Sequence, residues 1–136
     1  MYLVDTNVIS EARKGRKANP GVRKFFETIE ADELYLSVQT IGEIRRGLEN
    51  IRRRGDLPQA KKLEKWLDLV VASYDDRILS FDEECAHVWG RLMSPHHEHP
   101  IDKQIAAIAL IHDLTVATRN IDDFRGTGTR ISNPFL

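Results

Sequence analysis

Short apolar runs alternate along this chain with longer stretches whose apolar residues recur every three or four positions. The first pattern reads as buried strand and the second as one-faced helix. Tyr2-Leu3-Val4 is the first strand. It ends at Asp5-Thr6-Asn7, whose side chains suit a cap, and Val8–Ala12 continues as helix. Asn19-Pro20-Gly21 sets a cap residue before proline, the usual order at a helix start, and Val22, Phe25, Phe26 and Ile29 follow at helical spacing. Leu34–Ser37 is a second strand, and a helix from about Val38 to Ile51 carries Ile41, Ile44 and Leu48 on one stripe. Arg52–Asp56 breaks the pattern as a loop. Leu57-Pro58 opens a helix with Leu63, Trp66, Leu67 and Val70 inward. Ile78–Phe81 is a weak third strand. Asp82 caps a helix through Cys85, Val88, Trp89 and Leu92, and 94–100 is a loop holding three histidines. Ile101–His112 is apolar around much of its circumference and reads as a buried helix. Leu114–Thr118 is the clearest strand, and the turn-rich tail leaves room for one more at Arg130–Ser132.

Alternation of short apolar strands with longer helices predicts an α/β fold, a central parallel sheet flanked by helices on both faces. Ligands of such sheets bind beyond the carboxyl ends of the strands. With 136 residues there is room for one domain and one core, so residues 1–136 are expected to form a single unit. Charged residues make up 30% of the chain, and no apolar run is long enough to span a bilayer. No secretory leader is visible, and the single cysteine, Cys85, cannot form an intrachain disulfide. A reducing cytoplasm is the simplest home. The formal net charge of −1 excludes a protein held to nucleic acid by a large basic field, so such a substrate needs local basic patches or metal ions.

Four acids sit where strand hands over to helix or where a helix begins: Asp5, Glu43, Asp102 and Asp123. Asp5 follows the first strand. Glu43 shares a helix side with Thr40 and Gly47, small neighbours that let it approach the sheet edge. Asp102 lies in the first turn of its helix, with Ala106 and Ala109 on the same side, and Asp123 lies in the loop after the last strong strand. Each has a plain structural reading: Asp5 as a cap, Glu43 as a solvated helix residue, Asp102 as an acid favoured at a helix start, Asp123 or Asp122 as a turn cap. Gathered together they would repel one another unless they held a hard divalent cation such as magnesium or manganese. Two such ions about 4 Å apart activate water and stabilise a departing oxygen, which is phosphodiester chemistry.

The blocks carrying these acids resemble those of the PIN-domain ribonucleases, in particular the VapC and FitB-like toxins of bacterial toxin–antitoxin pairs. Leu3-Val4-Asp5-Thr6-Asn7 is similar to the first motif and Ile41-Gly42-Glu43 to the second. Asp102 opening Ile105-Ala106-Ala107 is similar to the third, and Thr118-Arg119-Asn120 followed by Asp123-Phe124 to the fourth. The resemblance runs over essentially the whole chain. It implies the PIN fold, with Asp5, Glu43, Asp102 and Asp123 coordinating Mg2+ or Mn2+, and Thr6, Asn7, Thr118 and Asn120 orienting them. It implies endonucleolytic cleavage of RNA leaving a 5′-phosphate, with transfer RNAs among the candidate targets. It also implies a small antitoxin with a DNA-binding end, and a toxin homodimer that joins the antitoxin as a heterotetramer or larger. Lys103 and Gln104 depart from the small or apolar residues usual after the third acid. The doubled Asp122-Asp123 leaves the fourth acid open by one position; Asp123 is taken because it directly precedes Phe124.

Arg45, Arg46 and Arg52–Arg54 form the most basic stretch. Arg45 and Arg46 are candidate phosphate contacts, or a solvated helix end. Arg119 and Lys103 are stronger candidates because each adjoins a proposed ligand. His96, His97 and His99 lack the partners of a zinc site and read as a polar loop. Cys85, Trp66 and Trp89 lie on apolar stripes and read as core or interface. Two other classes fit an Asp after an early strand. A phosphatase-like phosphotransfer domain wants a second Asp at position 7, where Asn7 stands, and a receiver-like one wants a phospho-acceptor Asp after the third strand and a later lysine, neither of which is well placed. A catalytically silent binding module would retain the fold without needing the complete acid set.

Overall fold

The computed structural model describes residues 1–136. Five parallel strands form the sheet: β1 (Tyr2–Val4), β2 (Leu34–Ser37), β3 (Ile78–Leu79), β4 (Thr115–Ala117) and β5 (Ile131–Ser132). Their spatial order is β3-β2-β1-β4-β5. Seven helices connect and cover them: α1 (Thr6–Ala12), α2 (Pro20–Thr28), α3 (Val38–Arg53), α4 (Leu57–Tyr74), α5 (Glu83–Met93), α6 (Pro100–His112) and α7 (Ile121–Phe124). This is the parallel sheet between helices that the alternating pattern predicts. The expected third strand is real but reduced to two residues. The helix expected to stop near Ile51 runs to Arg53, and the loop expected after the last strong strand winds into the single turn of α7.

β1 lies at the centre, pairing with β2 on one side and β4 on the other. Successive strand residues face opposite sides of a sheet, and β1 uses both. Val4 joins Val8, Leu36, Ile44, Leu48 and Leu67 in one core layer. Leu3 joins Cys85, Ile105, Ile108, Val116 and Phe124 in the other. Both are essentially sealed from solvent, and truncating such a Leu to Ala costs about 2–5 kcal/mol. Cys85 is therefore a core residue, as its stripe predicts.

The helix starts are fixed by the side chains that precede them. Asp5 Oδ1 accepts from Thr6 N at 2.9 Å, Ser37 Oγ from Thr40 N at 3.2 Å, and Asp82 Oδ1 from Cys85 N at 3.0 Å. Each satisfies an orphan donor of a first turn. Of these caps, Asp5 lies immediately after β1 and Ser37 is the last residue of β2. The helices α1 and α3 consequently begin at the same edge of the sheet, where α6 and α7 also begin.

Candidate active site

Asp5 occupies the end of the central strand and is 3% exposed. Besides capping α1, it accepts a hydrogen bond from Thr118 Oγ1 at 2.8 Å through Oδ2. Thr118 follows β4 and is itself sealed from solvent, so the adjacent strand supplies the donor that orients the carboxylate. Asn7 reinforces the pair. Its Nδ2 lies 3.4 Å from both Asp5 Oδ2 and Thr118 Oγ1, and its Oδ1 accepts from Arg119 N at 3.1 Å. Burial nevertheless dominates and raises the Asp5 carboxyl, with the charge of Asp123 adding to it against the bonds from Thr118 and Thr6.

Glu43 reaches the same edge from the second turn of α3. Thr6 Oγ1 donates to its Oε1 at 2.6 Å and lies 3.1 Å from Thr40 Oγ1. The helix side shared by Thr40 and Glu43 thus meets the start of α1. Desolvation of the carboxylate head raises Glu43 first, and the charge of Asp5 adds to it. Thr6 and then Arg46 oppose the shift.

Asp102 stands in the first turn of α6, where Ala106 and Ala109 allow close packing. Its carboxyl is pushed up to about 7, first by burial, then by the charges of Asp5, Asp123 and Glu43. Those three causes tie all the predicted acids into one field. Asp123 completes the set from α7, while its neighbour Asp122 is exposed and pairs with Arg125 at 3.2 Å. Of the doubled acids, it is Asp123 that the fold turns toward the others.

The orienting residues divide. Thr6, Asn7 and Thr118 bond to the acids through their side chains. Asn120 acts through its backbone, donating to Thr118 Oγ1 at 2.9 Å and accepting from Asp123 N at 3.1 Å. The basic candidates divide as well. Arg119 is exposed, with its guanidinium 4.9 Å from the Phe135 ring centroid. Arg46 is exposed and close enough to Glu43 to lower it. Arg45 is tied by Glu64 at 2.6 Å and Glu49 at 3.2 Å, so its charge is spent within the α3–α4 pair. Lys103 is buried and donates to the His96 carbonyl at 2.7 Å, turned toward the histidine loop. For both, the structure supplies partners inside the chain in place of the expected substrate.

One residue at this edge belongs to the loop read as merely polar. His99 Nε2 is 3.4 Å from Asp123 Oδ1, and the ligand atoms of His99, Asp102 and Asp123 all lie within 4.8 Å of one another. Spacing of histidines in the loop could not reveal this; the signal was proximity to Asp102, three positions on.

A divalent cation suits this donor set. No Lys or Arg forms an ion pair with Asp5, Glu43, Asp102 or Asp123, and the one pairing any of them makes is with His99. Arg46 offsets the charge only slightly and only at Glu43, and carboxylates gathered with so little compensation keep some of their members protonated or take up a cation.

The family model of the PIN domain matches residues 2–128. Plasmid stability protein StbB of Pseudomonas syringae pv. tomato is 35% identical, with 99% of each chain covered. Toxin FitB of Neisseria gonorrhoeae is 33% identical, again over 99% of each. A VapC ribonuclease of Sinorhizobium fredii is 31% identical over 99% of this chain and 98% of its own. Among solved structures, FitAcB from Neisseria gonorrhoeae superposes with a TM-score of 0.87 at 31% identity over 98% of each chain. FitAB bound to a DNA fragment gives 0.82 at 29% identity over 98% of this chain and 95% of the other. Motifs, sheet order and full-length similarity agree, and the chain belongs to the PIN domain family.

Proposed function

We propose that this chain is the toxin of a type II toxin–antitoxin pair and acts as a Mg2+- or Mn2+-dependent endoribonuclease. Residues 1–136 work as one nuclease unit in this reading. The observation that carries it is the convergence of four carboxylates, from the end of β1 and from α3, α6 and α7, at one sheet edge with no Lys or Arg ion-paired to any of them. The similarity to Toxin FitB and to a VapC ribonuclease points the same way.

Asp5, Glu43, Asp102 and Asp123 would hold the cation. A divalent ion there supplies positive charge to the scissile phosphate and strengthens water as a nucleophile. The chain's own contribution is orientation. Thr118 and the Thr6 amide fix both oxygens of Asp5, and the Thr6 hydroxyl fixes Glu43, so the acids need little rearrangement when a substrate arrives. Arg119 and Arg46 contact phosphates on either side of the acids. Cleavage breaks the bond between phosphorus and the 3′ oxygen. Water adds to phosphorus and a proton passes to the leaving oxygen, leaving a 3′-hydroxyl and a 5′-phosphate.

The partner is a small antitoxin whose other end binds DNA. A groove of about 380 Å³ runs from Thr6 and Glu43 to Arg13, Leu63 and Trp66, and a peptide laid in it would reach the acids at Glu43. A homodimer in the cytoplasm, joined to antitoxin as a heterotetramer or larger, completes the reading. A receiver-like phosphotransfer domain is disfavoured because the acid after β3, Asp82, caps α5 through Cys85 N and Lys103 holds its amine to His96 and Glu98.

The test is direct. Antitoxin-free protein with Mn2+ is expected to cut structured RNAs, transfer RNAs included, and chelator, Asp5→Asn and Asp102→Asn are each expected to reduce cutting to background. Cleavage that survives chelation and both substitutions sinks the nuclease reading; a covalent phospho-aspartate favours phosphotransfer.

A further inference from the structure

We propose that His99 is a nitrogen ligand of the cation held by Asp102 and Asp123, which gives this site a preference for Mn2+ and other nitrogen-binding ions over Mg2+. The inference rests on the metal-dependent reading above and adds to it a residue and a selectivity.

The backbone sets the imidazole in place. His99 is the residue before α6 and adopts a left-handed conformation, φ 54° and ψ 55°. Histidine is among the residues that enter this region, though it is an uncommon one for any residue but glycine. A Ser, Asp or Asn at a helix start normally turns its side chain back onto the first-turn amides. His99 makes no such bond, so its side chain is left over for another use. That side chain runs to Asp123, with Nε2 3.4 Å from Oδ1.

The segment around His99 is held from several directions. Trp89 Nε1 donates to the Pro100 carbonyl at 3.0 Å, and Lys103 N to the His99 carbonyl at 3.0 Å. Lys103 Nζ donates to the His96 carbonyl at 2.7 Å and approaches Glu98 at 3.8 Å. These bonds anchor the loop and occupy the Lys103 ammonium with the His96 carbonyl and Glu98, and it forms no ion pair with Asp102 or Asp123.

The spacing fits shared ligation. Donors about 2.1 Å from one ion stand at most about 4 Å apart. His99 and Asp123 are inside that limit, and the widest separation in the trio with Asp102, 4.8 Å at most, closes with a side-chain rotation. Carboxylate oxygens alone suit magnesium. An imidazole added to them suits manganese, cobalt, nickel or zinc, because these ions accept nitrogen donors more readily. The plain alternative is a surface pair between His99 and Asp123 with no part in metal binding.

Pulsed electron paramagnetic resonance of the full chain loaded with Mn2+ separates the two, because manganese reports a directly bound nitrogen as a 14N modulation. Wild type is expected to show this coupling, His97→Asn to keep it, and His99→Asn to lose it. Asparagine tolerates the left-handed backbone, so that variant keeps the helix start. Calorimetric titration with each ion is expected to show Mn2+ affinity falling about tenfold or more in His99→Asn, at least the loss that outer-shell partners of a metal site commonly carry. Mg2+ affinity is expected to change little. Mn2+ bound by wild type without 14N coupling, or coupling that persists in His99→Asn, overturns the proposal and leaves the nuclease reading standing. No Mn2+ binding by wild type removes both.

Discussion

The Asp102 carboxyl is pushed up to about 7 by burial and by the charges of Asp5, Asp123 and Glu43, whereas in the unfolded chain it lies near its ordinary value of 3.8. Between these values the folded state binds the extra proton. The stability this contributes is therefore fully present below about pH 4 and is lost as pH rises through about 7. Metal-free protein is expected to lose thermal stability over that window, as a pH series of melting curves would show. Cations compete with protons for the same oxygens, so added Mn2+ is expected to raise the midpoint more at pH 8 than at pH 5. Asp102→Asn removes one of the repelling charges. Solvent screening at a half-exposed group discounts the gain, and a rise of roughly 3 °C at pH 8 in metal-free protein is expected, the shift about 1 kcal/mol makes in a domain of this length. The same variant is expected to lose cleavage. A metal-free midpoint that rises steadily from pH 4 to pH 8 would contradict the charge field described here.

At the scale of elements, the start of α2 is joined to the C-terminal segment by contacts that only glycine permits. A Cβ on Gly21 would meet the Pro134 carbonyl oxygen at 2.1 Å and Leu136 Cγ at 2.7 Å, while Asn19 Oδ1 accepts from Leu136 N at 3.0 Å. Phe135, in that segment, lies under the Arg119 guanidinium. Gly21→Ala is expected to displace the segment at a cost of about 1–3 kcal/mol, the usual range for overpacking. It is also expected to raise KM for RNA with little change in kcat, because Arg119 loses its support while the acids keep theirs; melting curves and steady-state kinetics check the two halves. None of this was legible in the sequence. Asn19-Pro20-Gly21 announced a helix start through local chemistry, but the partner lies more than a hundred residues on. The legible elements were those whose signal is local: the apolar runs of β1, β2 and β4, the caps at Asp5 and Asp82, and the stripe of α3. What escaped was short or contingent on tertiary contact, such as the single turn of α7, the early end of β3, and His99. Asp5 and Asp102 were legible because one follows a strand end and the other opens a helix, and Glu43 because small residues share its helix side; which basic residues stay free was not, since Arg45 meets Glu64 only once α3 and α4 pack.

Across the whole molecule a formal net charge of −1 is distributed so that RNA has few places to hold. Arg45 and Arg52 share Glu49 and Glu64, Arg77 donates to the carbonyls of Ala31, Leu34 and Ser73, and Arg130 is paired with Asp113 at 2.9 Å. Near the acids, Arg46 and Arg119 remain, and Arg13 and Arg54 line the groove, Arg13 over Trp66. Three phosphate contacts from this set on a single strand release about 0.7 counterion each, so the logarithm of the association constant is expected to fall with the logarithm of salt at a slope of roughly −2. Filter binding of a short single-stranded RNA to Asp5→Asn protein, which binds without cutting, gives that slope. Arg119→Ala in the same background is expected to reduce its magnitude by about 0.7, and Arg45→Ala to leave it unchanged, because that guanidinium is neutralised within the chain. A slope far steeper than −2, or one that Arg45→Ala flattens as much as Arg119→Ala does, would mean that RNA lies along α3 and that the ion pairs with Glu49 and Glu64 open on binding. In the proposed reading, weak, shallow electrostatics of this kind would place the burden of holding substrate on a cation at the acids. The same four carboxylates that would repel an RNA backbone would then become, once loaded, its main point of attachment.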